Sequence, residues 1–321
     1  MAGAPATGTA ATGTAAAGAP AVGAPVGDPA VGVPVVDAAA TGSPVLGSPV
    51  LAALALVCSQ MSVNVGAAFA KQLFPSIGVE GVTAYRVGFA ALLMLAIFRP
   101  WRTPLTWRQA GNVAIYGSVI GLMNLLIYRS FSHIPMGIAV AIEVSGPLAV
   151  AVLSSRRPRD LLPVALAVVG LYFLLPLHGA QVNRLDPVGV AYAAGAAVCW
   201  ALYIVFGKRV ATHGSQSVAW GMTAAAMFIV PLGAWTSGAV LLTPSFLAIG
   251  LVIAVMSSAL PYTLEMISLR ALSSRTFSMF SSGAPAISAL AGMVLLGEHL
   301  TPTQWMAIAC IVLASVLTTL R

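Results

Sequence analysis

Between His133 and Arg156 the chain reads Ile134-Pro-Met-Gly-Ile-Ala-Val-Ala-Ile-Glu-Val-Ser-Gly-Pro-Leu-Ala-Val-Ala-Val-Leu-Ser154. One carboxylate, Glu143, stands in an otherwise apolar run, and the run ends on the charged turn Ser155-Arg-Arg-Pro-Arg-Asp160. The apolar stretch is apolar on all sides and long enough, at about 1.5 Å per residue, to approach the ~30 Å width of a hydrocarbon core. It is the fourth of a series. Working outward, spans are expected at 49–69, 82–98, 110–128, 137–154, 161–177, 187–206, 217–236, 246–264, 277–296 and 302–320. Barrel strands are excluded, because each needs only about ten residues of alternating polarity. The fold class read here is all-α integral membrane, about ten transmembrane helices.

The composition agrees. Hydrophobic residues make up 59% of the 321, and charged residues 7%, against about 25% charged in soluble domains. The net charge of +7 does not point to nucleic acid, because most of the Lys and Arg fall in short loops between spans. Alternate loops divide them unevenly. One set holds Arg99, Arg102, Arg108, Arg156, Arg157, Arg159, Lys208, Arg209, Arg270, Arg275 and Arg321; the other holds Lys71, Arg129 and Arg184. The excess on one side places both termini in the cytoplasm.

Residues 1–47 are a low-complexity tail without Lys or Arg, expected to be disordered and cytoplasmic, with Gly-Ser-Pro-Val-Leu repeated from Gly42 and Gly47. The remainder divides into two five-helix units, 48–178 and 187–320. Laying Pro147 on Pro285 aligns the fourth span with the ninth and sets Asp160 opposite Glu298; Val57-Cys58 and Val198-Cys199 match in the first and sixth spans. An odd number of spans per unit inverts the second unit, the inverted-repeat layout of many secondary transporters.

Gly81-Val-Thr-Ala-Tyr-Arg86, Ile134 to Pro147, Ser154-Ser-Arg-Arg-Pro158 and Ser258-Ala-Leu-Pro-Tyr-Thr-Leu-Glu265 together resemble the EamA branch of the drug/metabolite transporter superfamily. Within it they are most similar to bacterial exporters of threonine and homoserine. The resemblance covers residues 50–320 and implies ten spans, a bacterial inner-membrane location, a central cavity and proton-coupled efflux of small amino acids. The lipid bilayer, the proton gradient and a small-molecule substrate are the partners it implies, and a homodimer stays open. The rival functions are export of another metabolite or drug class, or passive conduction.

The site candidates are the charges that lie inside spans. Glu143 is expected to meet a substrate ammonium or a coupling proton, or else to form a structural bond between helices. Arg86 sits near the outer end of the second span, in the same half of the membrane. Its guanidinium suits a carboxylate, though it is equally readable as snorkelling or as permanently paired with Glu143. Pro147 and Pro285, each after a small-residue pair, are expected to break their spans and line the pathway. Ser145 and Ser281, the counterpart of Glu143, accompany them. Asn64, Tyr85, Asn124, Tyr128, Trp200, Tyr203 and Tyr262 are further lining candidates. Lys71 is expected to snorkel, and Glu265 to pair with Arg270 or Arg275.

No enzyme is expected: no nucleophile with its base, carboxylate pair or ATP-binding glycine loop lies in the spans. Cys58, Cys199 and Cys310, and the loop histidines His133, His178, His213 and His299, lack metal spacing, so no metal or cofactor is expected.

Overall fold

The protein is described from a computed structural model covering residues 49–102, 106–154, 161–174, 185–210, 215–261 and 282–319, with positions 264 and 268. The N-terminal tail, Asp160, Tyr262, Glu265, Arg270, Arg275 and Ser281 lie outside these residues.

All regular structure among the described residues is helical: α1 (Pro49–Gln72), α2 (Phe74–Phe98), α3 (Trp107–Phe131), α4 (Met136–Glu143), α5 (Ser145–Ser154), α6 (Leu161–Leu174), α7 (Pro187–Val210), α8 (Ser215–Ser237), α9 (Pro244–Ala254), α10 (Ala284–Leu296) and α11 (Pro302–Thr319). Helices satisfy their backbone groups internally, which a hydrocarbon environment demands. The segments Val50–Gln72, Phe74–Phe98, Trp107–Phe131, Pro187–Phe206 and Ala219–Leu242 are long and apolar enough to cross a membrane. Shorter apolar helices run over Met136–Val150, Pro244–Ser258, Ala284–Leu296 and Pro302–Leu317. Large apolar side chains such as Leu92, Ile97, Met227, Val294 and Met306 point outward, as lipid contact requires.

Helices touch through small residues. Cβ atoms added to Gly117 of α3 or Gly233 of α8 would strike the Gly221 carbonyl of α8 and the Glu80 carbonyl of α2. With little hydrophobic drive between helices in lipid, such close backbone approach supplies the packing. By these means α2 packs on α8 and α3 on both α7 and α8, while α6 packs on α11 and α4 on α10.

Two local features depart from the sequence reading. The second span begins at Phe74 rather than 82, with Gly78 at φ 73°, ψ 165° kinking it; only glycine occupies that region without cost. Past the kink the helix is regular from Val79, and Arg86 lies roughly 10 Å into that part. After α9 the chain takes a π-helical turn, Val255–Ala259. Hydroxyls of α1 hold this region: Ser62 Oγ donates to the Met256 carbonyl at 2.7 Å and Ser59 Oγ to that of Pro261 at 3.2 Å.

Candidate functional site

The fourth span is interrupted at Val144, and the interruption places Glu143. In a continuous helix the Glu143 carbonyl would accept from the N–H four residues on, but that residue is Pro147, which has none and whose ring crowds that carbonyl. Helix α4 therefore stops at Glu143, and α5 starts at Ser145 with Pro147 in its first turn. Ser145 Oγ donates across the break to the Ile142 carbonyl at 2.6 Å. Pro285 is likewise in the first turn of α10, following Gly283. Pro147 thus loosens the apolar helix Met136–Val150 in its second half, whereas Pro285 stands in the first turn of its own helix.

Glu143 is 8% exposed and its carboxylate makes no hydrogen bond or ion pair with any described side chain. Helix α4 packs on α10, α7, α3 and α11, and Arg86 reaches it from α2. Helix α7 supports both halves of the broken span, and a Cβ at Gly146 would fall on the Ala197 carbonyl. Buried Cys199, two residues on, lies within electrostatic reach of Glu143. Arg86 is the cation that acts on Glu143, yet the two form no ion pair within 4.0 Å. Arg86 instead lays its guanidinium over the Tyr128 ring, 5.0 Å from the centroid, a cation–π contact. Tyr128 is 0% exposed, is flanked by Phe74 and Phe131, and its hydroxyl has no hydrogen-bond partner among the described residues.

The arrangement gathers a cation stacked on the Tyr128 ring, the hydroxyl of that ring, unpartnered among the described residues, and a buried carboxylate. A group bearing both an anionic and a cationic end would satisfy all three. Buried polar groups ordinarily have partners, so the Tyr128 hydroxyl, which has none among the described residues, leaves a bond open for a further group.

The other candidates are placed as follows. The Asn64 and Asn124 amides donate to carbonyls of their own helices, of Gln60 at 2.8 Å and Ile120 at 2.9 Å. Tyr85 is buried and donates to the Leu241 carbonyl at 2.6 Å, its ring against Gly250 of α9. Tyr203 stacks on Tyr116 at 5.2 Å, joining α7 to α3. Trp200 is half-buried against the core.

Sequence reasoning missed a second polar centre. Lys71 does not snorkel: its Nζ meets Glu298 Oε1 at 2.6 Å, a partner 227 residues away in sequence that only tertiary structure brings within reach. At the same end of the bundle Arg129 pairs with Glu80 and approaches Tyr192, and His133 Nδ1 lies 2.6 Å from Asp186 Oδ2. Asp186 also accepts from the Val188 N–H at 2.9 Å, capping α7. Those N–H and imidazole contacts hold its carboxyl below the usual carboxylate range. Among the described residues no cluster of His, Cys, Asp or Glu is arranged to hold a metal.

Ionisable groups inside a bundle of membrane-length apolar helices are the usual mark of a solute or ion pathway. Comparison with known proteins is specific. Residues 187–320 match the EamA-like transporter family. The chain is 47% identical over 266 residues to the threonine/homoserine exporter RhtA of Escherichia coli K12, covering 83% of this chain and 90% of that protein. It is 47% identical over 268 residues to RhtA of Salmonella typhimurium LT2, with the same coverage. To the uncharacterized inner membrane transporter YedA of Escherichia coli K12 it is 25% identical over 256 residues. A crystal structure at 20% identity superposes with TM-score 0.56 over 83% of this chain and 96% of the other, a likeness of fold. The chain belongs to the EamA-like transporter family.

Proposed function

We propose that this protein is an inner-membrane secondary transporter exporting small amino acids of the threonine and homoserine kind, coupled to protons through alternating access. The observation that carries the substrate class is the 47% identity over 90% of a threonine/homoserine exporter. The site geometry is of the matching chemistry. Arg86 and the Tyr128 hydroxyl address a carboxylate, and Glu143, unpaired, addresses an ammonium or takes a proton when the ammonium leaves.

The ten spans form two inverted repeats, 48–178 and 187–320, with both termini cytoplasmic. Helix pairing supports this. Under the repeat, α2 corresponds to α8, the α4/α5 span to α10 and α6 to α11, and each of these packs on its own counterpart. The α3–α7 contact has its counterpart in the α1 contacts with α9 and its π turn. A two-fold axis in the membrane plane requires such reciprocity. The three ion pairs also cluster where α1 and α3 end and α2, α4 and α7 begin, opposite Arg99 and Arg102 at the end of α2. By the distribution of basic residues, the Lys71 end faces outward.

Purified protein in liposomes should exchange labelled threonine and homoserine saturably and faster under an imposed pH gradient. Glu143→Gln should remove the gradient response. No exchange by a folded protein would discard these substrates in favour of other metabolites, and non-saturable flux insensitive to an uncoupler would make it a channel.

A further inference from the structure

One carboxylate joins three helices at the Lys71 end. Glu298 follows Gly297, whose φ of 66° turns the chain at the end of α10. One Glu298 oxygen meets Lys71 Nζ of α1 at 2.6 Å, and the other accepts the N–H of Met136, the first residue of α4, at 2.9 Å. Gln72 Nε2 adds a bond to the Leu295 carbonyl at 3.1 Å. The sequence leaves room for this: a Cβ at Gly292 would occupy the space of the Glu298 carboxylate, and one at Gly137 of α4 would strike Ala289 of α10. The Lys71 and Glu298 side chains are 22% and 12% exposed, so solvent and salt screen them less than a surface pair. The carboxylate also faces the positive end of the α4 dipole.

Helix α4 is eight residues long and ends in Glu143. Because it is a rigid segment, whatever holds its Met136 end fixes where Glu143 stands, about 10 Å away. Lys71 and Met136 belong to the first half of the chain, Glu298 to the second. We propose that Glu298 is a positioning residue for the transport cycle: by clamping Lys71 and the α4 N-terminus it closes the Glu143 site towards the Lys71 end, and release of this clamp opens the site to that side. The proposal rests on the carrier reading above but not on its substrate.

Cys199, buried beside Glu143, is a native reporter. A membrane-impermeant maleimide is added to spheroplasts or to inside-out vesicles, and the Cys199 peptide is quantified by mass spectrometry apart from Cys58 and Cys310. Lys71→Gln and Glu298→Gln should each raise Cys199 labelling about tenfold from the Lys71 side only, the scale of one lost charge-assisted bond. Glu298→Gln keeps an oxygen for the Met136 N–H, which preserves the fold. The exchange Lys71→Glu with Glu298→Lys restores the ion pair without that acceptor, and labelling should return part of the way to the parent rate. Unchanged labelling in both single variants, or an equal rise from both sides, overturns the clamp. Threonine exchange with unchanged labelling would sink the clamp alone, whereas one-sided labelling without threonine exchange would keep it and discard the substrate.

Discussion

Replacing Tyr128 with Phe deletes one oxygen and should move stability and substrate affinity in opposite directions. The hydroxyl is fully buried and unpartnered, a condition that costs about 1–3 kcal/mol. Phe keeps the ring that lies 5.8 Å from Phe74 and 5.6 Å from Phe131 and that supports Arg86 at 5.0 Å. Without substrate, the variant should therefore be more stable by about 1 kcal/mol, a rise in melting temperature of roughly 2–4 °C. With substrate the sign reverses. A hydroxyl bonded to a carboxylate contributes about 1.5–3 kcal/mol, so the apparent KM for threonine should rise roughly ten- to a hundredfold. Thermal unfolding in detergent with and without threonine, alongside counterflow in liposomes, reads both quantities. A residue kept for binding at the expense of stability gives this pattern. If Tyr128→Phe instead lowers the melting temperature of the substrate-free protein and leaves KM unchanged, the hydroxyl serves the fold and the assignment of this site is refuted.

Arg86→Lys keeps the charge and a weaker contact with the Tyr128 ring but loses the planar fork; the KM of threonine counterflow should rise about tenfold, whereas a cation that only snorkelled would tolerate the change. Gly146→Ala drives a Cβ into the Ala197 carbonyl, where backbone cannot yield, and should cost about 1–3 kcal/mol of stability by thermal unfolding; an unaltered melting curve would show that α5 shifts freely on α7. Asp186 has a carboxyl lowered by the Val188 N–H and by His133. Its folded pKa lies below its unfolded one, so it stabilises the fold above the ordinary carboxylate range, and that contribution is lost as pH falls through the lowered value. Asp186→Asn keeps an oxygen for the Val188 N–H and should flatten the acid limb of a melting-temperature-against-pH curve; an unchanged limb would place the acid sensitivity elsewhere.

The helices were legible because apolar runs of membrane length leave the backbone little choice, and Glu143 and Arg86 stood out because a charge in such a run needs a reason. What the sequence could not supply was distance. Lys71 reads as a snorkelling cation and Glu298 as the repeat counterpart of Asp160, and nothing local in either says that one completes the other. Phe74-Pro-Ser-Ile-Gly78 lies before the span expected at 82–98; the structure uses its proline in the first helical turn and its glycine as the kink, so the helix starts ahead of the apolar run. The matched prolines show the same limit from the other side. Pro147 was rightly taken as a break, but the break falls where its missing donor is felt, four residues earlier at the carbonyl of Glu143, rather than at the proline itself. A proline placed four residues after a buried carboxylate removes one backbone bond of the helix at that carboxylate, while the Val144 N–H still donates to Val140 and the Leu148 N–H to Val144.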